Sequence, residues 1–197
     1  MADDPLTAAP LRLFLALPFH HIFLQEIRAV LEPLSRKVEG VKWVDPGQAH
    51  LTLHFFGATL PKEISKIDDA MKRIAPLFAP LKVCLDRVGA FPDLHRPDVI
   101  WLGIREKSGV LSGFCQTVQR EIKHLGFELD PRPLHPHVTL GRVKKHGGDL
   151  EAVLPKVTAG LPTAEKSVDH FILYESHCLP EGAHYEPLKT YAFTKSV

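Results

Sequence analysis

Two segments of the chain, HLTLHFFG at 50–57 and HPHVTLGR at 135–142, contain the same pattern of a histidine, any residue, a threonine and a leucine. The two histidines, His50 and His137, are 87 residues apart. Apolar and polar residues alternate through both copies, which is typical of a β-strand. Because side chains two residues apart on a strand point to the same face about 7 Å apart, each copy is expected to present an imidazole beside a hydroxyl.

The predicted elements around the two copies follow the same order. Apolar runs predict strands at 11–17, 50–56, 81–88, 99–104, 135–143 and 168–174. Apolar stripes at helical spacing predict helices at 22–38, 61–78, 111–125 and 149–158. Leu13 precedes His50 by 37 residues, and Ile100 precedes His137 by the same number. We therefore interpret the chain as a duplication of strand, helix, motif strand, helix and strand.

Two duplicated lobes are expected to face each other across a groove, each contributing one motif strand. Alternating strands and helices are also compatible with a parallel sheet. A shared central groove favours an α+β fold of mainly antiparallel sheets with helices packed outside. We expect residues 1–197 to form a single bilobal domain, because a chain of this length buries roughly 70% of its unfolded surface without needing disulfides or a metal.

Composition argues against several classes of protein. With 24 basic against 23 acidic residues the formal net charge is +1, which does not fit a protein that coats duplex nucleic acid. The cysteines Cys84, Cys115 and Cys178 are far apart and lack CxxC spacing, which argues against a disulfide framework or a zinc knuckle. The start MADDPLTAAP is unlike a targeting peptide, and no apolar run has the length of a membrane span. We expect a cytoplasmic monomer without a membrane partner.

The residue types of the repeated pattern suit general acid–base chemistry. An imidazole exchanges a proton near neutral pH, and a threonine hydroxyl donates a hydrogen bond to a phosphoryl or carbonyl oxygen. Two such pairs facing each other provide an acid on one side of a reacting centre and a base on the other. This arrangement suits displacement at phosphorus without a metal, with the threonines holding the non-bridging oxygens. A single His-x-Thr is usually structural, so the duplication is what favours a catalytic role.

At these residues the sequence resembles the two-histidine phosphoesterase superfamily, specifically the RNA 2′,3′-cyclic phosphodiesterases, also known as 2′-5′ RNA ligases. The resemblance extends to RLFLALPF at 12–19, FPDLHRPDVIWLGI at 91–104 and LYESHCLPEGAHYEPL at 173–188. It implies a bilobal α+β fold with a groove between the lobes. It also implies hydrolysis of a terminal 2′,3′-cyclic phosphate to a 2′-phosphomonoester without metal or cofactor, and a weaker, reversible joining of RNA ends through a 2′-5′ linkage.

The resemblance also assigns roles to the motif residues. His50 and Thr52 match the first pair of the family, and His137 and Thr139 match the second. The family implies that His50 is the proton donor and His137 the proton acceptor. The sequence itself does not fix these roles, because reversing the reaction exchanges them. The partners implied are single-stranded RNA ends or nucleotide cyclic phosphates.

Four further residues are predicted to contact the substrate. Arg142 matches the arginine at the end of the family's second motif, which is expected near the phosphate. Strict alternation from His137 places its Cβ on the opposite face, and a bulge or a reach around the strand end would reconcile the two. In the loop FPDLHRP, Phe91 and Arg96 are expected to touch a base, since stacking holds single-stranded nucleotides. Phe56 is another stacking candidate, but a core position is preferred for it.

The neighbouring histidines and lysines are given lesser roles. His54 is expected on the groove face as a lining or surface residue rather than a catalyst. His135 and His137 have a spacing that can chelate a metal, but no carboxylate or third histidine is placed beside them, so no metal site is expected. Lys144 and Lys145 are interpreted as a solvated basic turn in preference to an RNA track.

Other functions remain open from the sequence. One is a module that binds nucleotide ends without turnover, which would not require two opposed proton carriers. A second is a related two-histidine phosphodiesterase that acts on ADP-ribose cyclic phosphate or 2′-5′ oligoadenylate. The third is a metal-dependent phosphodiesterase, which would lose activity in a chelator. Turnover of each substrate, with and without chelator, discriminates among these alternatives.

Overall fold

The computed structural model describes residues 9–145, 150–180 and 182–196. Its helices and strands are, in chain order, β1 (Leu11–Pro18), α1 (Leu24–Lys37), β2 (Val41–Trp43), β3 (His50–Thr59), α2 (Pro61–Ile74), β4 (Leu81–Phe91), β5 (Val99–Arg105), α3 (Val110–His124), β6 (His137–Val143), α4 (Leu150–Ala159), β7 (Lys166–Val168), β8 (His170–Cys178) and β9 (Ala183–Ala192). Short 3-10 turns occupy Pro46–Gln48 and Ala75–Leu77.

The strands form two antiparallel sheets. One has the order β3-β1-β8-β9, and the other has the order β2-β6-β5-β4-β7. Every neighbouring pair in both sheets runs antiparallel. The predicted α+β class with mainly antiparallel sheets is therefore confirmed, and the parallel alternative is wrong.

Helix boundaries follow local sequence signals. Helix α2 begins at Pro61, where the missing backbone N–H has no intrahelical partner to lose and the fixed φ suits the first turn. Helix α3 ends at His124, two residues before Gly126, which has a φ of +87°. Glycine reaches this left-handed conformation without a Cβ penalty and commonly ends a helix.

Each sheet has one face covered by helices and one face turned to the groove. On β1, Leu13, Leu15 and Leu17 belong to the main core, whereas Phe14 and Ala16 belong to a small second cluster with Ile172 and Tyr174 of β8. On β5, Ile100, Leu102 and Ile104 belong to the main core. Side chains alternate along a strand, so the remaining residues of these strands line the groove.

The two lobes do not correspond to the two halves of the chain. The first lobe consists of β1, β3, β8 and β9 with α2 and α3, and the second lobe of β2 and β4–β7 with α1 and α4. Strand β8 returns from the second half to pair with β1, and β4 leaves the first half to pair with β5. The expectation that each duplicated half builds its own lobe is therefore wrong at the level of connectivity.

Three strands were absent from the sequence prediction, namely β2, β7 and β9. The first two have only three residues each, and β9 contains Pro187 and polar residues at an edge of its sheet. A proline is tolerated on an edge strand because no ladder partner is required there. Among the described residues, no helix is both long and apolar enough to cross a membrane.

Candidate active site

His50 is the first residue of β3, and its ring is held by the turn that precedes the strand. The Nδ1–H donates a hydrogen bond to the carbonyl oxygen of Gln48 at 2.8 Å. Gln48 lies in a 3-10 turn that Asp45 caps by accepting a hydrogen bond from the Gly47 N–H at 2.9 Å. Because a carbonyl oxygen only accepts, Nδ1 carries the proton of the neutral ring and Nε2 is left as the free nitrogen.

His137 is held in the same way at the start of β6. Its Nδ1–H donates to the carbonyl oxygen of His135 at 2.7 Å. Between them, the carbonyl oxygen of Pro136 accepts a hydrogen bond from the Ile104 N–H at 3.0 Å, which fixes this segment against β5. Both motif histidines therefore use the carbonyl two residues earlier to select the tautomer whose Nε2 is free.

The motif threonines face the groove in both sheets. Thr52 pairs with Ala16 of β1, and Thr139 pairs with Trp101 of β5. Both partners lie on the strand face opposite the main core. Within the part of the chain that the structure describes, neither threonine hydroxyl has a hydrogen-bond partner, so both are free to donate to an oxygen of a bound molecule.

Both motif strands lose register directly after the motif threonine. The residue left without a partner is Leu53 in β3 and Leu140 in β6. These two leucines are buried in the main core. A one-residue bulge moves the following side chains to the face opposite to the one that strict alternation predicts.

The bulge at Leu140 places Arg142 on the groove face. Arg142 pairs with Val99, the neighbour of the core-facing Ile100, so the Arg142 side chain points away from the core. Its charge lowers the pKa of both His50 and His137. The conflict between strict alternation and the expected phosphate contact is thereby resolved in favour of the bulge.

The bulge at Leu53 contradicts the groove position predicted for His54 and selects the core position for Phe56 over its role as a stacking candidate. His54 pairs with the core-facing Leu15, is only 8% exposed, and packs edge-on against Phe56 with ring centroids 4.7 Å apart. Phe56 also packs against Phe127 at 4.9 Å. His54 is therefore not a groove-lining residue, and Phe56 lies on the helix side of the sheet, where it cannot stack on a base in the groove.

Phe55 occupies the groove position for which Phe56 was a stacking candidate. It pairs with Phe14, it is 64% exposed, and the two ring centroids are 5.6 Å apart. Phe55 follows His50 by the same number of residues as Arg142 follows His137. The two bulged strands therefore present an aromatic ring and a guanidinium at equivalent positions of the groove.

Aromatic rings surround the His50 imidazole. The ring centroids of Phe14 and Tyr185 each lie 5.0 Å from it, and that of Tyr174 lies 6.4 Å away. Tyr185 meets His50 edge-on and is also close enough to Arg142 for that charge to act on its hydroxyl. Strand β9 thus supplies a wall that reaches from His50 towards Arg142.

The His137 imidazole has its own aromatic neighbours. Phe91 lies edge-on at 5.1 Å and Trp101 at 6.4 Å. Trp101 lies against Gly89, where an added Cβ would come within 2.4 Å of the indole ring. The structure thus brings the predicted residue Phe91 beside His137. Arg96 lies in the exposed loop after β4, where its backbone N–H donates to Asp93 at 2.9 Å, and its side chain forms no hydrogen bond with His50 or His137.

Burial lowers the pKa of both motif histidines. The pKa of His50 falls from 6.5 to about 4, chiefly because burial disfavours its charged form, and the charges of His20, His137 and Arg142 lower it further. The hydrogen bond to Gln48 opposes this fall. The pKa of His137 is lowered mainly by burial, with a smaller lowering by Arg142. Both Nε2 atoms are therefore unprotonated acceptors at neutral pH in the free groove.

Among the described residues, the groove histidines do not form a chelating cluster with carboxylates. The rings of His135 and His137 are 6.3 Å apart and tilted by 40°. In the described residues, three potential metal ligands come together at Glu175, His177 and Glu186. These residues lie on β8 and β9 on the face opposite Tyr174, and the His177 Nε2 is 3.2 Å from the Glu186 carboxylate, which is the geometry of an ion pair.

Several groove residues escaped the sequence analysis, namely Phe14, Lys42, Trp101, Tyr174 and Tyr185. The runs LRLFLAL, VIWLGI and VDHFILY were predicted as strands, and no face of them was assigned to the groove. In the structure one face of each run packs in the core and the other lines the groove. The signal available was the ring of Phe14 or Trp101 on the strand face opposite the leucines and isoleucines of the same run, since a doubly buried strand requires no such segregation.

The comparisons with known proteins agree with this geometry. The model of the 2′-5′ RNA ligase superfamily matches residues 18–177. The match covers most of the chain, and the chain therefore belongs to the 2′-5′ RNA ligase superfamily of two-histidine phosphoesterases. The RNA 2′,3′-cyclic phosphodiesterase of Archaeoglobus fulgidus is 31% identical over 181 residues, covering 92% of this chain and 99% of that protein. That of Thermotoga maritima is 29% identical over 178 residues, covering 90% and 93%.

Solved structures share the fold. A protein of Thermus thermophilus aligns with a TM-score of 0.79 at 24% identity, covering 95% of this chain and all of the other. Escherichia coli LigT, solved in complex with 3′-AMP, aligns with a TM-score of 0.73 at 25% identity, covering 94% and 99%.

Proposed function

We propose that the protein hydrolyses terminal RNA 2′,3′-cyclic phosphates to 2′-phosphomonoesters without a metal. The observation that carries the proposal is the matched pair of histidines, each with Nδ1–H bound to the carbonyl two residues earlier and with Nε2 free beside a threonine. The names of the relatives from Archaeoglobus fulgidus and Thermotoga maritima support the substrate class. The nucleotide bound to LigT is consistent with a groove that holds a nucleoside phosphate.

In the proposed reaction His137 is the proton acceptor. Its Nε2 removes a proton from a water molecule as the water oxygen attacks phosphorus. The bond between phosphorus and the ribose 3′ oxygen breaks on the opposite side, and the 2′ oxygen keeps the phosphate. The Thr52 and Thr139 hydroxyls donate hydrogen bonds to the non-bridging oxygens, and the Arg142 charge stabilises them.

His50 is the proposed proton donor to the 3′ oxygen. A pKa of about 4 makes its imidazole neutral in the free groove at neutral pH. A bound phosphate anion raises that pKa, because a nearby opposite charge favours the protonated form. Substrate binding is therefore the step that charges His50, and an empty groove does not hold the active protonation state at neutral pH.

Ligation would use the same groups with a different nucleophile. If a 5′-hydroxyl of RNA replaces water, its attack on the cyclic phosphate forms a 2′-5′ linkage and releases the same 3′ oxygen. The reverse step exchanges the roles of the two histidines. We place the activity in the cytoplasm, a location that the three unbridged cysteines support.

The test is hydrolysis of a short oligoribonucleotide ending in a 2′,3′-cyclic phosphate, in the presence of a chelator, with the product read by phosphorus nuclear magnetic resonance. We expect a 2′-phosphate from the native protein and its formation about 10²–10⁴-fold more slowly from His50→Ala or His137→Ala. His124→Ala is the matched control, because His124 is an exposed histidine in the last turn of α3.

The other outcomes select among the alternatives. Turnover that requires an added metal would replace the proposal with a metal-dependent phosphodiesterase. Binding of the oligonucleotide without turnover would indicate a nucleotide-end binding module. Faster turnover of ADP-ribose cyclic phosphate or 2′-5′ oligoadenylate would move the protein to a different substrate class in the same superfamily.

A further inference from the structure

Lys42 and Arg142 lie directly opposite each other on neighbouring strands. They are paired in the β2–β6 ladder, and directly opposed residues on antiparallel strands point to the same face. Since the bulge at Leu140 turns Arg142 to the groove, Lys42 also lies on the groove face. Both side chains are exposed. The two cations therefore stand side by side at the rim of the groove.

Among the described residues, no carboxylate forms an ion pair with either of these two cations. Other basic side chains, including Arg36, Lys66, Lys72, Arg105 and Lys166, contact an acidic partner. Within residues 9–145, 150–180 and 182–196, neither Lys42 nor Arg142 does. Like charges directly opposite each other destabilise a sheet. Anions bound at both side chains would reduce that repulsion.

The close approach of β2 to β6 depends on Gly141. A Cβ added there would lie 2.6 Å from the Val41 side chain and 2.8 Å from the Trp43 ring. The absence of a side chain lets these two residues pack over the bulge on the core side of the sheet. Lys42, between them, is consequently held next to Arg142.

Lys42 also reaches towards the first lobe. A Cβ added at Gly182, in the turn between β8 and β9, would lie 3.7 Å from the Lys42 Nζ. Sheet order places β2 outside β6 at the edge of the second sheet. A path outward from His137 therefore passes Arg142 first and Lys42 next, at the end of the groove where the two lobes come close.

We propose that Lys42 forms a second phosphate subsite, which binds the phosphodiester on the 5′ side of the terminal nucleoside while Arg142 and the histidines hold the cyclic phosphate. The proposal rests on the proposed function. A nucleoside 2′,3′-cyclic phosphate with a free 5′-hydroxyl has one anion and cannot occupy this subsite. The second anion is present only where the nucleoside carries a 5′ phosphate or is preceded by another nucleotide. The subsite thus makes the groove favour the end of an RNA chain over a free cyclic nucleotide.

The test compares three substrates that share the same reacting group. They are adenosine 2′,3′-cyclic phosphate with a free 5′-hydroxyl, the same nucleoside with a 5′-phosphate, and a diadenosine dinucleotide ending in the cyclic phosphate. For the native protein we expect the 5′-phosphate to raise kcat/KM about two- to fivefold, the effect of one exposed ion pair. Lys42→Gln should abolish this gain and leave the 5′-hydroxyl substrate unchanged.

The control is Lys123→Gln, which removes the same charge from an exposed position on α3 of the other lobe. It should retain the full gain from the 5′-phosphate. For the dinucleotide, Lys42→Gln should also reduce the slope of log kcat/KM against log salt by about 0.7, the amount for one phosphate contact on a single strand.

Three results would overturn the subsite. The first is a native protein whose kcat/KM does not increase with the 5′-phosphate, and the second is an increase that Lys42→Gln retains. The third is an equal loss of activity by Lys42→Gln on all three substrates, which would mean that Lys42 contacts the cyclic phosphate itself. If the native protein hydrolyses none of the substrates, the proposed function fails. Calorimetric binding of the dinucleotide and the nucleoside ending in a 2′-phosphate then decides the subsite separately, with a preference for the dinucleotide that Lys42→Gln removes.

Discussion

Strands β3 and β6 share a backbone design but end in different chemistry. Each begins with a histidine held by a carbonyl two residues earlier, continues with a groove-facing threonine, and has a bulge at the following leucine. After the bulge β3 presents Phe55 and β6 presents Arg142. The shared part is suited to proton transfer, which needs two similar groups, whereas the different part gives the groove one apolar side and one cationic side.

The surroundings of the two histidines differ as well. His50 lies among Phe14, Tyr174 and Tyr185, and its pKa falls to about 4. His137 lies at the more open end of its strand beside Phe91, and its pKa is also lowered. The comparison teaches that a repeated motif sets the geometry of acid–base groups, while the neighbouring strands set which of them is harder to protonate.

The largest expected effect comes from removing either imidazole. His50→Ala and His137→Ala should each lower kcat on a cyclic phosphate by about 10²–10⁴, since each removes general acid or base assistance. A nucleoside 2′-(4-nitrophenyl) phosphate has a leaving group that needs no proton, so it distinguishes the proton donor from the proton acceptor. On it His50→Ala should regain most of its activity and His137→Ala should not. Recovery by His137→Ala instead would reverse the assigned proton roles.

The two threonines should behave alike. A hydroxyl hydrogen bond to a charged group contributes about 1.5–3 kcal/mol, so Thr52→Val and Thr139→Val should each reduce kcat/KM about 10- to 100-fold. Thr→Ser at the same positions keeps the hydroxyl and should retain most activity. A loss of activity in only one of the two Thr→Val variants would show that only one threonine binds a phosphate oxygen.

The pH dependence of kcat/KM tests the role of Arg142, which lies on β6 and has no counterpart on β3. The proposed reaction needs one protonated and one neutral histidine, and in the free protein both pKa values lie below 6.5. Because kcat/KM reports the free enzyme, its bell-shaped pH profile should have a maximum below pH 6.5 and should fall as pH rises through neutrality. Its two apparent pKa values belong to the pair of histidines.

Arg142→Gln removes a positive charge that lowers the pKa of both histidines. The maximum of the pH profile should therefore move to higher pH, and kcat/KM should fall about tenfold with the loss of one charged hydrogen bond. Lys144→Gln is the control for a nearby exposed charge. A loss of activity without a shift of the profile would mean that Arg142 contacts substrate but does not set the protonation of the histidines.

The smallest expected effect separates Phe55 from Phe56. Phe55→Leu removes an exposed ring from the groove and should weaken nucleotide binding about threefold to tenfold, at the lower end of base stacking energies, with little change in the free energy of unfolding. Phe56→Leu alters a ring packed against His54 and Phe127. It should lower the free energy of unfolding by about 1 kcal/mol and leave nucleotide binding unchanged. Denaturation and nucleotide titration of both variants measure the two effects, and an exchanged result would mean that Phe56 turns to the groove.

The sequence predicted the orientation of the site residues up to the two bulges and not beyond them. The alternation of HLTL and HVTL correctly placed a histidine and a threonine on one face of each strand. It failed two residues later, because nothing in the local composition shows that Leu53 and Leu140 are skipped in pairing. Pairing with the neighbouring strands therefore determines the sheet face to which the side chains of His54 and Arg142 point.

Connectivity was also beyond the sequence pattern. The helices and most strands follow from periodicity, and their predicted ranges agree closely with those observed. The choice of partner for β4 and β8 depends on contacts between distant segments, which periodicity does not encode. Strand β9 was missed because an edge strand with polar residues lacks the apolar alternation used to recognise strands.

The pairing of β1 with β8 has a consequence during protein synthesis. The ribosome makes β1 and both motif strands well before β8 and β9, yet the latter two strands supply Tyr174 and Tyr185 beside His50. A nascent chain that ends before β8 leaves the edge of β1 unpaired and His50 exposed to water. The low pKa of His50, and with it the completed groove, should therefore arise only after the last strands leave the ribosome.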